Sequence, residues 1–301
     1  MRPRLHPWIP LLRLHDGAVQ VGTDPQRRVR LASEAAAAVL AAAAAMDGRL
    51  LREDLDQDPL VARGLALLCE SGALMDADEH PRGWQALHHR TRQDLTRGAL
   101  TRAVSTQGRL SSGTVTARTS VEVTVWGPRP LAAAVTTALA SAGFNRTVCI
   151  DAEAAAIGQT DRVILIGRPK WAVVSGLMRN SIPHVALSPR AASIRIGPFV
   201  EPGRSACLRC LHLARGDRDP NWPLISEQLD RLVVPEPDPA LVTLATGLFA
   251  LLFTEWADSA PPRVLNRVVE VSAPLGLRAE REIAVHPACG CTWPEALPDS
   301  G

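Results

Sequence analysis

The first of two close cysteine pairs lies in the segment Gly197-Pro-Phe-Val-Glu-Pro-Gly203-Arg-Ser-Ala-Cys207-Leu-Arg-Cys210-Leu. The second pair is Cys289-Gly-Cys291, near the C-terminus. Two close pairs that lie far apart in sequence are typical of four thiolates that bind one tetrahedral Zn²⁺. In small zinc modules such a site contributes about 10–16 kcal/mol to folding. The sequence therefore predicts a structural zinc site formed by Cys207, Cys210, Cys289 and Cys291.

Other roles for these cysteines stay open. A disulfide is one, although a Cys-x-Cys ring is strained and no export signal is visible. Free core thiols are another. Redox chemistry at Cys207-Leu-Arg-Cys210 is a third, but the segment lacks the predicted strand-then-helix context of such a motif. Gly290 lets the backbone turn so that the sulfurs of the second pair converge. His212 and His286 flank the pairs, and either could replace a ligand or hydrogen-bond around the metal.

Length and composition set the class of protein. The chain has 301 residues, enough for two domains, and a 46% hydrophobic share supplies buried cores. A formal net charge of +2 gives no global field that would attract nucleic acid or membranes. Residues 1–10 lack the apolar run of a signal peptide. The apolar stretch Leu241–Trp256 is predicted to be too short for an easy membrane span, and it carries Glu255. We expect a cytoplasmic protein with reduced thiols and no membrane partner.

The first 81 residues predict a small α+β domain. Asp16-Gly17 is a favoured hairpin turn between alternating segments, and Val29-Arg-Leu31 predicts a further short strand. Ser33 is a good N-cap for an alanine-rich helix that extends to about residue 46. Helices near residue 51 and over residues 59–70 follow, and Leu74-Met75 predicts a closing wing strand. This order of elements is typical of winged-helix domains.

Residues 82–118 predict an arginine-rich linker. Seven arginines stand against a single acid, Asp94. The segment is expected to be partly helical, with the arginines on a solvated face. A basic surface for an acidic peptide or partner is the alternative.

Residues 119–301 alternate between apolar strands and helices. Strands are predicted over 121–126, 147–151, 162–167 and 184–188, with helices over 131–142 and 170–180 between them. Such an alternation indicates a parallel sheet covered by helices. Helices over 222–232 and 239–256 and a final antiparallel pair over 264–271 and 277–285 complete the prediction.

The first strand–turn–helix of this region resembles a nucleotide-binding unit. Gly127 follows the first strand, and Asp151 ends the second, where an acid would bind a ribose. The turn Gly127-Pro-Arg129-Pro has one glycine where three are usual, and its prolines lack the N–H groups that hold phosphates. Arg129 is a candidate phosphate contact or simply an exposed turn residue. The sequence predicts a vestigial nucleotide site at Gly127, Arg129 and Asp151.

The combination resembles the superfamily of ubiquitin-activating and ThiF/MoeB-type adenylyltransferases. More narrowly, it is similar to the cyclodehydratase partner proteins of azole-modified (thiazole/oxazole) peptide biosynthesis. Three segments carry the resemblance: residues 197–211, Asp217-Arg-Asp-Pro-Asn-Trp-Pro223 and His286-Pro-Ala-Cys-Gly-Cys291. The hairpin, Asp47-Gly-Arg49 and the helix order add a weaker N-terminal match. The implied fold is α/β, with a Rossmann-like, mostly parallel sheet of ThiF type and a four-cysteine zinc site, after a winged-helix-like domain.

The resemblance implies a division of labour. A separate YcaO-type cyclodehydratase uses ATP to activate a backbone amide, and the ThiF-like partner binds the leader of the precursor peptide. An extended leader would add as a strand to Val29-Arg30-Leu31. The facing helix, residues 59–70, would line the groove with Leu60, Arg63, Gly64 and Leu67. Leu60 and Leu67 could instead be core residues.

Departures from the adenylyltransferase pattern imply a subunit without catalysis of its own and without ATP as a cofactor. The glycine-rich turn is degraded, residues 152–159 hold no Arg-Gln pair, and Lys170 falls outside the family's position. Cys69 and Cys149 are expected to be buried and not thioester nucleophiles. Two alternatives stay open: an active ATP-dependent adenylyltransferase, and a nucleic-acid-binding winged-helix regulator that presents Arg63. Nucleic acid is not the expected partner, and a homodimer is an assembly common in this superfamily.

Overall fold

The computed structural model describes residues 2–7, 9–25, 28–46, 48–77, 89, 93, 95–98, 101, 117–151, 157–233, 236–259, 261–274 and 276–292. The chain divides into two compact units, Met1–Ala117 and Arg118–Gly301. The finer division into residues 1–81, a linker over 82–118 and a domain over 119–301 stays a prediction, because most of the linker lies outside the described residues.

The first unit contains five short strands and three helices in residues 2–77, and the described residues between 89 and 101 are helical as well. The strands are β1 (Pro3–Leu5), β2 (Leu11–Arg13), β3 (Val19–Val21), β4 (Val29–Leu31) and β5 (Leu74–Asp76). The helices are α1 (Ser33–Ala45), α2 (Arg52–Leu55) and α3 (Pro59–Glu70). The strands β2, β3 and β4 form an antiparallel sheet in that order, so the predicted hairpin is present and β4 is an edge. The predicted wing strand is β5, but it pairs with β1 and not with the hairpin.

Helices α1 and α3 pack closely because of a glycine. A Cβ atom at Gly64 would lie 2.0 Å from the carbonyl oxygen of Ala38 and 2.7 Å from the Cβ of Ala42. Gly64 therefore faces α1 and does not line a groove, which corrects the prediction made for it. The surrounding core includes Val39 and Leu65, both fully buried.

The second unit is built on a seven-stranded sheet. Its strands are β6 (Glu122–Trp126), β7 (Arg146–Ile150), β8 (Arg162–Ile166), β9 (His184–Pro189), β10 (Ser193–Val200), β11 (Arg267–Ser272) and β12 (Gly276–Glu282), in the order β12-β11-β10-β9-β8-β6-β7. The strands β7, β6, β8 and β9 are parallel, which confirms the predicted α/β arrangement. The strands β10, β11 and β12 continue the sheet in antiparallel pairs.

Helices cover both faces of this sheet. They are α4 (Arg129–Ser141), α5 (Trp171–Arg179), α6 (Leu208–Gly216), α7 (Trp222–Asp230) and α8 (Pro239–Asp258). On one face, side chains of α4 and α8 such as Val135 and Phe249 share a core with Val125 and Ile164. On the other face, α5 packs on alternate strand residues, for example Leu165. This period-two division of the strands is the expected pattern for a sheet buried on both sides.

Helix α8 corrects the prediction that its apolar stretch is too short to span a membrane. It has 20 residues and by length and composition alone could cross one. In the fold, however, Leu241, Phe249, Phe253 and Trp256 are buried in the core of the second unit. A core helix passes the same test of length and composition, so the observation is weak support for a membrane span.

Arg118 corrects the prediction that the arginines of residues 82–118 lie on a solvated face. Its Nε donates to Asp258 Oδ1 at 2.9 Å, and a second nitrogen donates to Asp258 Oδ2. A third bond reaches the carbonyl oxygen of Ala142 at 2.9 Å. Both side chains of the pair are almost fully buried. Arg118 therefore belongs to the second unit as a structural ion pair at the end of α8.

Two single cysteines are also placed differently from the prediction. Cys69 and Cys149, expected to be buried, are both exposed. Cys69 lies near the end of α3, outside its buried face, and Cys149 lies on β7, the edge strand of the sheet. The Cys149 thiol is 3.0 Å from the hydroxyl of Thr136.

His184 makes the stability of the second unit depend on pH. Its ring is buried, Nδ1 donates to the carbonyl of Ile182 at 2.9 Å, and Nε2 has no partner among the described residues. Burial lowers the pKa of His184 to about 4, from 6.5. Between pH 6.5 and pH 4 the unfolded chain therefore binds a proton at His184 that the folded chain does not bind. The loss of stability begins below pH 6.5 and is complete, at about 3 kcal/mol, below pH 4.

Denaturant unfolding between pH 7.5 and 4 measures this effect. His184→Gln keeps a donor for the Ile182 carbonyl but does not titrate, so its unfolding free energy is expected to fall less steeply over the same range. Equal slopes for the wild type and the variant would contradict the assignment.

Candidate functional site

The four cysteines of the two predicted pairs come together in the second unit. The sulfur of Cys207 lies 3.5 Å from that of Cys289, and the sulfur of Cys210 lies 3.4 Å from that of Cys291. Within the first pair the sulfurs are 3.8 Å apart, and all four lie within 4.8 Å of one another. Thiolates around a tetrahedral Zn²⁺ at about 2.3 Å are roughly 3.8 Å apart. The cluster can hold one metal ion, and its size is compatible with zinc.

Secondary structure places the first pair. Cys207 is the N-cap of α6, and Cys210 lies in the first turn of that helix. The loop before the helix is fixed from two sides, because the Ala206 N–H donates to Asn266 Oδ1 at 2.7 Å and the Glu201 N–H donates to the Ser205 hydroxyl at 2.8 Å. The sulfurs are therefore positioned by a rigid helix end.

A strand does precede this helix, which corrects one premise of the sequence analysis. Strand β10 ends at Val200, and α6 begins at Leu208, so Cys207-Leu-Arg-Cys210 has a strand-then-helix context after all. The other cysteine pair, however, lies directly against the first. A dithiol redox motif does not explain that second pair, whereas a four-ligand metal site does.

The two flanking histidines form hydrogen bonds of their own, and neither belongs to the group of four residues whose ligand atoms come together. His286 Nε2 donates to Asp217 Oδ2 at 2.8 Å, and its Nδ1 accepts from the Ala288 N–H at 3.1 Å. Because Asp217 caps the end of α6, this contact joins the second cysteine segment to the helix of the first. His212 Nδ1 accepts from Trp222 Nε1 at 3.1 Å, so this nitrogen is also occupied.

Burial disfavours the thiolate form of these cysteines when no metal is bound. It raises the pKa of Cys289 to about 12 and raises the pKa of Cys291 as well, in both cases with help from the neighbouring thiols. Burial acts in the same direction on Cys210, but hydrogen bonds from the backbone of His286 and Cys207 lower its pKa overall. A dication held by the four cysteines would reverse this balance, because it would stabilise their thiolates.

The turn predicted to bind a nucleotide is occupied by contacts within the protein. The Gly127 N–H donates to the carbonyl of Ile150 at 3.2 Å, and a Cβ on Gly127 would lie 2.6 Å from that of Ile166. Pro128 is the N-cap of α4 and a second proline follows in its first turn, so few backbone donors remain for a phosphate. Arg129 and Asp151 are exposed, and the neighbours of Asp151 over residues 152–156 lie outside the described part.

The predicted peptide-binding residues fall into two groups. Val29, Leu31 and Leu67 are half-buried and pack on the core of the first unit. Arg30, Arg63 and Leu60 are exposed, and Arg30 pairs with Asp16. The Ala18 N–H lowers the pKa of Asp16, against a small effect of burial, and the charge of Arg30 lowers it further. Their role in binding a peptide stays a prediction.

Sequence reasoning missed the residues that position the cluster. Ser205, Asn266 and Asp217 lie within or near the quoted segments, but only their spatial contacts indicate a role. Asn266 has a positive φ of 60°, a conformation that asparagine tolerates better than most residues, but its residue type alone does not indicate this contact.

No protein-family model matches this sequence, and no curated protein sequence matches it. Solved structures do. E. coli MccB with ATP is 12% identical with a TM-score of 0.69, and the match covers 97% of this chain and 100% of that one. E. coli MccB with AMPCPP and MccA is 11% identical with a TM-score of 0.66, covering 97% and 99%.

Heterocyclases are similar over part of their length. The heterocyclase TruD is 15% identical with a TM-score of 0.66, and the match covers 97% of this chain but 42% of TruD. A heterocyclase in complex with substrate and cofactor matches at 15% identity and a TM-score of 0.66, over 96% of this chain and 39% of that one. This chain therefore shares the fold of MccB and of a part of the heterocyclases.

Proposed function

We propose that this chain is a non-catalytic subunit that binds the leader of a ribosomally made precursor peptide and presents it to a YcaO-type cyclodehydratase. The observation that carries the proposal is the edge strand β4. Among the described residues, Val29–Leu31 pairs only with β3 and leaves its other side without a strand. An extended peptide can add to such an edge through backbone hydrogen bonds. The fold shared with heterocyclases, and with MccB solved with MccA, supports a peptide as the partner.

The strand β4 is a better candidate than β2, the opposite edge of the same sheet. The resemblance assigns the peptide groove to this strand and to α3. Leu60 and Arg63 on α3 are exposed, and Leu60 has 48% of its surface accessible. Side chains of this kind can form the pockets that give sequence specificity to strand addition.

Proline substitutions test the edge strand. Since successive N–H groups of a strand point in opposite directions, one of Val29→Pro and Arg30→Pro removes an outward donor without breaking the ladder to β3. We expect that variant to lose at least about tenfold in affinity for the leader, the equivalent of one or two hydrogen bonds. Fluorescence anisotropy with labelled peptides from short reading frames encoded beside this chain measures it.

The other edge supplies the control. Leu11→Pro and Leu12→Pro place the same change on β2, and circular dichroism identifies in each pair the variant that keeps its fold. We expect the folded β2 variant to bind the leader as the wild type does. If the folded β2 variant lost affinity for the leader and the folded β4 variant did not, the assignment of the peptide to β4 would be contradicted.

The closed nucleotide turn supports the absence of independent catalysis. The Gly127 N–H is already bonded, and prolines occupy two positions at the start of α4. Phosphate binding at a helix start depends on free backbone donors. We therefore propose that the α/β unit keeps the architecture of an adenylyltransferase but not its activity.

An active adenylyltransferase is the second candidate function. It is favoured by the match to MccB solved with ATP and by the position of Asp151, directly after the Ile150 carbonyl that contacts Gly127. ATP–pyrophosphate exchange separates the two functions. Exchange above background with the purified chain and a candidate peptide would overturn the non-catalytic proposal.

We also propose that the cysteine cluster holds a structural zinc ion. Cys207, Cys210, Cys289 and Cys291 would provide a closed four-thiolate shell with no open position for a substrate. The ion would join α6 to the segment that carries Cys289 and Cys291. The four side chains would bind it as thiolates, and the site would need no other chemistry.

A further inference from the structure

A small pocket lies at the carboxyl ends of β8 and β9. It has a volume of about 100 Å³ and is lined by Arg168, Trp171, His212, Arg215, Trp222 and Ser226, among others. In open α/β sheets, ligands bind at this end of the strands. Sites for whole drug-sized molecules measure roughly 300–1,000 Å³, so this pocket suits one small group of a larger ligand.

Arg215 is a half-buried cation without an acidic partner among the described residues. Its guanidinium lies over the ring of Trp222, 4.8 Å from the ring centre. Burial lowers the pKa of Arg215 to about 10, and the charges of Arg195, Arg190, Arg168 and Arg281 act in the same direction. A partly buried cation is normally paired, so the position favours an anion.

Two acids of this region, one of which lines the pocket, are already engaged by other arginines. Asp230 accepts from Arg168 Nε at 2.6 Å, and Glu270 accepts from Arg195 at 3.3 Å. These two pairs leave the charge of Arg215 uncompensated. Arginine is well suited to such a role, since its planar fork matches the oxygens of a phosphate or a carboxylate.

The other polar groups of the pocket also offer donors. His212 Nδ1 accepts from Trp222 Nε1, so the neutral ring carries its proton on Nε2. Trp222 thus fixes both Arg215, through its ring face, and His212, through its N–H.

We infer that this pocket is an oxyanion site, with Arg215 as its main ligand, which takes a phosphate or a carboxylate group whose remainder projects into solvent. The pocket is formed by residues of the second unit, and the inference does not rest on the proposed binding of a leader. The pocket is tied to the cysteine cluster, because α6 carries Cys210 in its first turn and presents His212 and Arg215 further along.

Calorimetric titration of the metal-loaded full chain at constant ionic strength tests the inference. The probes are inorganic phosphate, AMP, and an acetylated dipeptide with either a free carboxylate or an amide at its C-terminus. Binding of phosphate and AMP identifies a phosphate ligand, and binding of the free-acid dipeptide but not of its amide identifies a carboxylate. Millimolar or tighter binding of at least one oxyanion is expected, and binding of none overturns the inference.

Variants test the ligand. Arg215→Gln is expected to lower the affinity at least about tenfold, because it removes a charge-assisted hydrogen bond. Arg231→Gln is the matched control, since Arg231 directly follows α7 and is 75% exposed outside the pocket. Unchanged binding in a folded Arg215→Gln variant, or an equal loss in Arg231→Gln, overturns the assignment. If Arg215→Gln does not fold, Arg215→Lys, which keeps the charge but not the fork, is expected to bind more weakly than the wild type.

Discussion

Cys207→Ser and Cys289→Ser are each expected to release the metal and to unfold much of the second unit. The cluster joins segments 82 residues apart in sequence, and three of its four cysteines are buried in a small core of their own, with Cys291 partly buried against it. Structural zinc contributes roughly 10–16 kcal/mol in small modules, which is comparable with the whole stability of a domain, about 5–15 kcal/mol. Metal analysis should give one zinc per wild-type chain and a small fraction of that in either variant.

The two exposed cysteines provide matched controls for this experiment. Cys69→Ser and Cys149→Ser change the same atom outside the cluster and are expected to keep the metal and the melting temperature of the wild type. A Cys207→Ser protein with its full metal content would contradict the four-thiolate site. A disulfide between the two pairs, detected by mass in the wild-type protein purified under reducing conditions, would do so as well.

Arg118→Ala is expected to lower the free energy of unfolding by about 3–5 kcal/mol, the cost of leaving one charge of a buried pair alone. The change removes two hydrogen bonds to Asp258 and one to the carbonyl of Ala142. Asp258→Asn should act in the same direction. Chemical denaturation followed by circular dichroism measures both effects.

A second ion pair serves as the control, and a double variant tests the cause. Arg146 and Glu122 form a pair in which both side chains are more than half exposed. Arg146→Ala is expected to cost at most about 1 kcal/mol. The double variant Arg118→Met/Asp258→Leu removes both charges and should recover part of the loss. A loss in Arg118→Ala no larger than that in Arg146→Ala would contradict the importance of the buried pair.

Local patterns predicted most of the α/β unit. The four parallel strands, the helices between them and the final antiparallel pair follow from apolar runs and their spacing. Strand β10 was not predicted, because Gly197-Pro198 interrupts it and both residue types argue against a strand interior. The structure accommodates them with an irregular register between Ile196 and Phe199, where β10 pairs with β9.

Tertiary contacts explain what the sequence analysis placed wrongly. Arg118 is one of seven arginines in a polar segment, and the sequence gives no sign of its contact with Asp258, 140 residues away. Gly64 occupies the side of α3 that faces α1, and its role depends on how closely the two helices approach. Cysteine spacing, in contrast, was sufficient to predict that the four thiols come together, because a tetrahedral site for four thiolates constrains the sequence directly.

The candidate oxyanion pocket could not be predicted, because its parts come from separate elements. Arg168 follows β8, Arg215 lies on α6 and Trp222 begins α7. The distinctive segment around Asp219-Pro220 and Trp222 was visible in the sequence, but only as part of a resemblance. Its physical role, to fix a guanidinium and a histidine with one indole ring, depends on contacts between helices.

Leader recognition is the main proposal, and one titration compares it with the catalytic alternative. The zinc-loaded chain is titrated by calorimetry with an unlabelled leader peptide, in the absence and in the presence of ATP and Mg²⁺. We expect micromolar or tighter binding with the same affinity in both conditions and no heat from nucleotide turnover. An affinity weaker than tens of micromolar in both conditions, or steady heat release that requires ATP, would contradict the proposal.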